Sequence, residues 1–143
     1  MASISKEIFT SASPGAAWDA IRDVGALHTR LVPGFVVATE LVPGGRRVTF
    51  GNGLVVEEPI VACDNDARRL AWTARSDKMP LEHYNSSVQV FESTTGSRIV
   101  WTSDVLPNTA TPQVGAMMEQ GAHAMAKALG PADTERPAGA RRR

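Results

Sequence analysis

Cysteine is nearly absent from this chain, and that scarcity removes two classes of structure. Cys63 stands alone among 143 residues, so neither an intramolecular disulfide nor a multi-cysteine zinc site can hold the fold. An excess of either charge is missing too. Fifteen basic residues balance fifteen acidic ones, so no net field recruits nucleic acid or an acidic membrane surface. Long apolar runs are lacking: none approaches the roughly 18 residues of a membrane span. The first residues, Met1 to Ile8, carry no apolar signal-type core, and the expectation is a soluble cytoplasmic protein. His28, His83 and His123 have no His-x-x-x-His spacing, so neither a metal site nor a cofactor is expected. Ser86 and Ser87 lack a Gly-x-Ser-x-Gly elbow, which leaves nucleophilic hydrolysis without support.

What remains is ordinary soluble-domain composition, 43% apolar and 21% charged, in a chain long enough to bury one real core. One domain is expected over residues 1–131. From Ala132 onward the Asp, Thr, Glu, Pro, Gly and Arg content cannot bury apolar area. Residues 132–143 therefore read as a disordered tail ending in the solvated run Arg141-Arg142-Arg143.

The element pattern is strand, two short helices, about six strands, and one long helix. Ala2 to Thr10 is β-prone with imperfect phase, as at a sheet edge. Ser13-Pro14 starts a helix, with a hydroxyl to cap free N–H groups and proline at its first position. Ala17, Trp18 and Ile21 form its inward stripe. A second short helix is expected from Ala26 to Leu31, stopped before Pro33-Gly34. Strands follow at Phe35–Val42, Arg46–Phe50 and Leu54–Ala62, the last two joined by Gly51-Asn52-Gly53, whose Asn-Gly supplies positive φ. Pro59 points to an edge position or a bulge. Leu70, Trp72 and Ala74 alternate along the next strand, and a long hairpin runs from His83 to Phe91 and from Arg98 to Asp104. A final helix starts near Thr111-Pro112, with Val114, Met117, Met118, Gly121, Met125, Ala128 and Leu129 on one face, and Gly130-Pro131 stops it. No crossover helix separates the strands between Phe35 and Leu106. The sheet must therefore be antiparallel, strongly curved, and crossed by the last helix on its open face.

This order, with Ala12-Ser13-Pro14 and Trp18, Pro33-Gly34, Arg68-Arg69-Leu70, Tyr84-Asn85-Ser86-Ser87-Val88, Gly96-Ser97-Arg98-Ile99-Val100-Trp101 and Pro107, resembles the START-like or SRPBCC superfamily, which includes polyketide cyclase/dehydrase-like proteins. The resemblance spans Ile4 to Leu129. It implies an α+β helix-grip fold, a curved antiparallel sheet of about seven strands around the C-terminal helix, with an apolar cavity between the two. A plant-receptor gate loop has no counterpart beyond the Phe50–Leu54 turn, and the receptors' lysine has none near Phe35, which argues against hormone reception.

Strand parity selects the residues that can see such a cavity. If Trp101 points inward, so do Ile99, Ser103 and Val105. On the partner strand two registers are open. The resemblance selects His83, Asn85, Ser87, Gln89 and Phe91 as inward, whereas apolar alternation selects Tyr84, Ser86, Val88 and Val90. The expected wall is Trp72, Trp101, Met117, Met118 and Met125, with His83, Asn85, Ser87 or Gln89 orienting a small hydrophobic ligand. The expected pocket volume is roughly 300–1,000 Å³. For an enzyme of the cyclase/dehydrase kind, His83, Tyr84 and Glu57 are the candidate acid–base groups. The Glu57-Glu58 pair lies mid-strand, so one carboxylate faces inward, with Arg47 across the hairpin as its expected partner. A third reading, regulation of a partner through an apolar patch at the mouth, draws little from the short Gly-Asn-Gly turn.

Overall fold

The computed structural model describes residues 2–131; the tail expected at 132–143 lies outside the described residues. The chain runs through β1 (Ala2–Thr10), α1 (Pro14–Arg22), a 3-10 turn (Val24–Ala26) and a π-helical turn (Leu27–Leu31). It continues through β2 (Val36–Val42), β3 (Gly45–Phe50), β4 (Val55–Asp64), β5 (Arg69–Thr73), β6 (His83–Ser93) and β7 (Gly96–Leu106) to α2 (Thr111–Leu129). Seven strands form one sheet in the order β1-β7-β6-β5-β4-β3-β2, and every neighbouring pair is antiparallel. This is the helix-grip arrangement.

Local chemistry accounts for the element ends. Ser13 Oγ accepts from the Ala16 N–H at 3.2 Å, satisfying one of the free donors of the first turn of α1. That helix buries Ala17, Trp18, Ala20 and Ile21. The β3–β4 turn closes by Gly53 N–H to Phe50 O at 2.9 Å, with Asn52 Oδ1 accepting from Leu54 N–H at 3.0 Å and Gly53 at φ 91°. Pro59 is not at an edge, because β4 pairs with β3 on one side and β5 on the other. The bulge lies just beyond it, where register shifts between Ile60 and Ala62.

Two contacts fix the grip. Gly130 O, just past the end of α2, accepts from Thr10 Oγ1 at 2.6 Å and from Ser11 N–H at 3.1 Å, tying the helix end to β1. Midway along α2, a methyl group at Gly121 would lie 2.8 Å from the Trp101 ring and 3.0 Å from Phe35. Glycine there lets the helix sit against the rings that fill the concave face. Val114, Met118, Gly121 and Met125 form the buried side of α2.

Candidate functional site

The β6–β7 ladder decides which face each side chain takes. Val88 lies opposite Trp101, Ser86 opposite Ser103 and Tyr84 opposite Val105, and directly opposed residues share a face. With Trp101 inward, Tyr84, Ser86, Val88 and Val90 follow, and all four are buried. The register that the family resemblance selected is therefore corrected. His83, Asn85, Ser87, Gln89 and Phe91 stand on the convex face, so none of His83, Asn85, Ser87 or Gln89 lines the interior. The reason is hydrophobic: on this strand the even-numbered positions carry the valines, and burying them sets the phase. Gln89 Nε2 donates to Ala67 O at 3.1 Å. Phe91 lies under Arg98, 4.7 Å from its guanidinium carbon to the ring centre. His83 borders a separate surface hollow under the 73–84 arch, beside Arg75, Asp77 and Glu82.

Between sheet and α2 lies a narrow interior slot with a free volume of about 50 Å³. A single water needs on the order of 10–15 Å³ of such space, so the slot as it stands admits only a small group. The expectation of a several-hundred-Å³ enclosed pocket is corrected: the rings of Phe35, Trp72 and Trp101 and the side chains of Met117 and Met125 close in on it. A larger groove of about 520 Å³ opens beside it, lined by Gly34, the 50–54 turn, the 79–81 segment and the first half of α2. Phe35, Phe50, Met79 and Met117 line both spaces. The two phenyl rings meet edge to face at 5.2 Å. The polar groups around the groove, Asn52, Gln113 and Gln120, carry no charge.

The slot has one polar corner. Arg46 Nε donates to Glu58 Oε1 at 2.8 Å, with side-chain exposures of 3% and 8%. The Arg46 guanidinium also lies 5.3 Å from the centre of the Trp72 ring. Burial pushes the Glu58 carboxyl above its ordinary value, and the charge and hydrogen bond of Arg46 pull against that rise. Glu57, the sequence candidate for acid–base work, faces the other way. Its Oε2 accepts from Arg47 Nε at 2.6 Å, and both side chains are half-exposed. The expected inward partner is thus corrected on both strands: Arg46 with Glu58 inside, Arg47 with Glu57 outside. Parity of β3 and β4 forces this, since buried Val48 and Val56 share a face with Arg46 and Glu58.

Tyr84 is the sequence candidate that does reach the slot. A chain of hydrogen bonds leads to it. Trp101 Nε1 donates to Ser86 Oγ at 2.8 Å, Ser86 and Ser103 hydroxyls meet at 2.9 Å, and Ser103 Oγ donates to the Tyr84 hydroxyl at 3.3 Å. Burial raises the Tyr84 phenol above its ordinary value; Ser103 and Ser86 lower it and the Glu58 charge raises it further. The phenol therefore stays protonated and can donate.

Of the predicted wall, Trp72, Trp101, Met117 and Met125 line the slot. Met118 does not; it is fully buried in packing between α2 and the rest of the core. Arg46, Glu58, Phe35, Phe50 and Met79 are slot residues that the sequence reading did not nominate. For Arg46 and Glu58 a signal existed in their spacing from Val48 and Val56. Met79 sits in a loop whose path no periodicity reveals.

Fold and site together define a helix-grip protein with an apolar slot under its last helix. Residues 1–130 match the family model described as polyketide cyclase / dehydrase and lipid transport, and the chain belongs to that family. Among solved structures, XoxI from Bacillus cereus is similar at 21% identity, with a TM-score of 0.80, over 90% of this chain and 96% of that one. An uncharacterised protein from Bacillus thuringiensis is 22% identical, with a TM-score of 0.75, over 90% and 97%. Ara h 8.0201 is 19% identical, with a TM-score of 0.69, over 90% and 97%. At these identities the likeness establishes the fold. No curated protein matches. Among the described residues, no helix is long and apolar enough to cross a membrane.

Proposed function

We propose that this protein is a cytoplasmic binding protein for a small hydrophobic or amphipathic molecule of the polyketide, lipid or terpenoid kind. The ligand's apolar body would lie across the Phe35, Phe50, Met79 and Met117 side chains. The observation that supports this reading is the sharing of those four side chains by the interior slot and the groove. Their rotation would join a small closed space to a larger open one, and thioethers and edge-packed rings adapt readily to varied apolar shapes.

Native mass spectrometry of protein purified from its own host is expected to show a retained small molecule. Apolar titrants are expected to change the emission of Trp72 and Trp101 saturably. Ala74→Phe, which adds a ring at the half-buried rim of the slot, is expected to weaken that binding at least several-fold. No retained molecule and no saturable titrant would sink the proposal.

A second reading, a cyclase/dehydrase-type enzyme using the same pocket, draws on Glu58 and Tyr84, a carboxyl and a phenol lining one slot. It ranks below binding because Arg46 already engages the Glu58 carboxylate. Turnover of a ketide panel that disappears in both Glu58→Gln and Tyr84→Phe would favour it.

A further inference from the structure

The two edges of the sheet are built differently. β1 is guarded by charge and by α2: Lys6 and Glu7 sit in mid-strand, and Lys6 reaches Glu119 on the helix at 2.9 Å. Its far end is closed by the bonds from Thr10 and Ser11 to Gly130. β2, the opposite edge, has none of this. Val36–Val42 holds no proline and no lysine, and its one charged residue, Glu40, is engaged by Arg47 of β3 at 2.7 Å. Among the described residues, the backbone of β2 bonds outside its ladder with β3 only at Val36, whose N–H donates to Val32 O at 3.1 Å. The rest of the strand therefore keeps an open row of N–H and C=O groups, a template for another strand. The same edge exposes two large apolar side chains, Val37 at 53% and Leu41 at 65%.

The pattern along this edge fits itself. Thr39 and Leu41 lie opposite buried Val48 and Arg46 and share their concave face, while Ala38 and Glu40 lie opposite Thr49 and Arg47 on the convex face. Val37 is the extra residue of a bulge that ends at Ala38, so the remainder is regular. Two copies related by a two-fold axis perpendicular to the sheet pair antiparallel, and opposed residues then share a face. The axis must pass through a residue. Through Glu40 it sets two carboxylates directly opposite each other. Through Ala38 it leaves Leu41 outside the pairing, and through Leu41 it overlaps only the strand ends. Through Thr39 it uses the whole strand: Val36 meets Val42, Val37 meets Leu41, and Ala38 meets Glu40. That register covers each exposed apolar side chain with the other and opposes no like charges, and each Glu40 stays with its own Arg47.

We infer that β2 is a self-association edge, through which two copies of this chain join antiparallel about Thr39 and continue one sheet across the pair. A single strand-to-strand contact is smaller than the roughly 1,000 Å² of a lasting interface, so the pairing is weak and reversible.

Sedimentation velocity of the wild-type chain is expected to show monomer giving way to dimer over about 10–500 µM. Leu41→Lys, a change at an exposed position, is expected to raise the dissociation constant at least tenfold. Cross-linking in a Cys63→Ser background reads the register. Thr39→Cys sets its two thiols opposite each other across the axis, where Cβ atoms are about 4.5–5.5 Å apart, and mild oxidation is expected to give a covalent dimer. Leu41→Cys sets them four residues out of step, about 13 Å apart, and is expected to give none. A wild-type chain that sediments as monomer throughout overturns the inference. So does a dimer that Leu41→Lys leaves intact, or one that fails to cross-link at position 39.

Discussion

Two ion pairs sit one residue apart on the same two strands and face opposite sides of the sheet. Arg46–Glu58 lies on the concave side with almost no exposure, and Arg47–Glu57 lies on the convex side with more than 40% of each side chain exposed. The residue types and the bond lengths are nearly alike, 2.8 and 2.6 Å; the surroundings differ. Outside, Arg47 is shared with Glu40 across three strands, and water and salt screen whatever the pairs gain. Inside, each charge has given up its hydration, and each depends on the other to offset that loss. The exposed pair is decoration on a stable sheet. The buried pair is a commitment, because neither partner can be removed alone without stranding a charge beside the slot.

Breaking each pair on one side tests this contrast. Glu58→Gln strands Arg46 and is expected to cost about 3–5 kcal/mol by denaturant unfolding, whereas Arg46→Met with Glu58→Leu together is expected to recover most or all of that loss. A double variant as unstable as the single one would show that packing rather than charge holds the corner. On the same concave face, Gly121→Ala pushes a methyl against Trp101 and Phe35; overpacking of this kind is expected to cost about 1–3 kcal/mol. An unchanged unfolding midpoint would mean that the rings give way, and so that the slot is softer than its packing implies.

Alkaline titration sharpens the comparison through Tyr84. Burial holds its native phenol above the ordinary value of 10.0, so the native state keeps a proton that the unfolded chain releases. The resulting stability is fully present below pH 10 and is lost as pH rises from there through the raised native value. The slope is at most about 1.4 kcal/mol per pH unit. Tyr84→Phe is expected to lack that component. Because no other tyrosine contributes, ultraviolet absorbance of the phenolate follows this group directly, and titration at the ordinary value would contradict its burial. The smallest effect is expected outside: Glu57→Gln should leave the unfolding midpoint nearly unchanged, and added salt should erase what difference there is.

Much of the fold was legible because periodicity reports burial. The alternation along Arg98–Val105, the Ser13-Pro14 and Thr111-Pro112 helix starts, and the Gly51-Asn52-Gly53 turn all lie where local pattern alone indicates them. The candidate site was legible only in part. Trp72, Trp101, Met117 and Met125 emerged from their stripes, while the β6 register was drawn the wrong way when resemblance was allowed to outweigh the phase of Val88 and Val90. That single step exchanged Asn85, Ser87 and Gln89 for Tyr84, Ser86 and Val88. The same parity separated Glu57 from Glu58. Phe35, Phe50 and Met79 come from loop or strand ends, where no repeat marks a direction.

By itself the sequence determined the order of elements, the antiparallel sheet and the amphipathic last helix, because each follows from spacing between near neighbours. Tertiary structure decided the rest: which glutamate is buried, how tightly rings from distant strands close the slot, and which face of β6 meets it. Those depend on side chains as far apart in the chain as Phe35 and Met125 meeting in one place, and close packing leaves no trace of such meetings in local pattern.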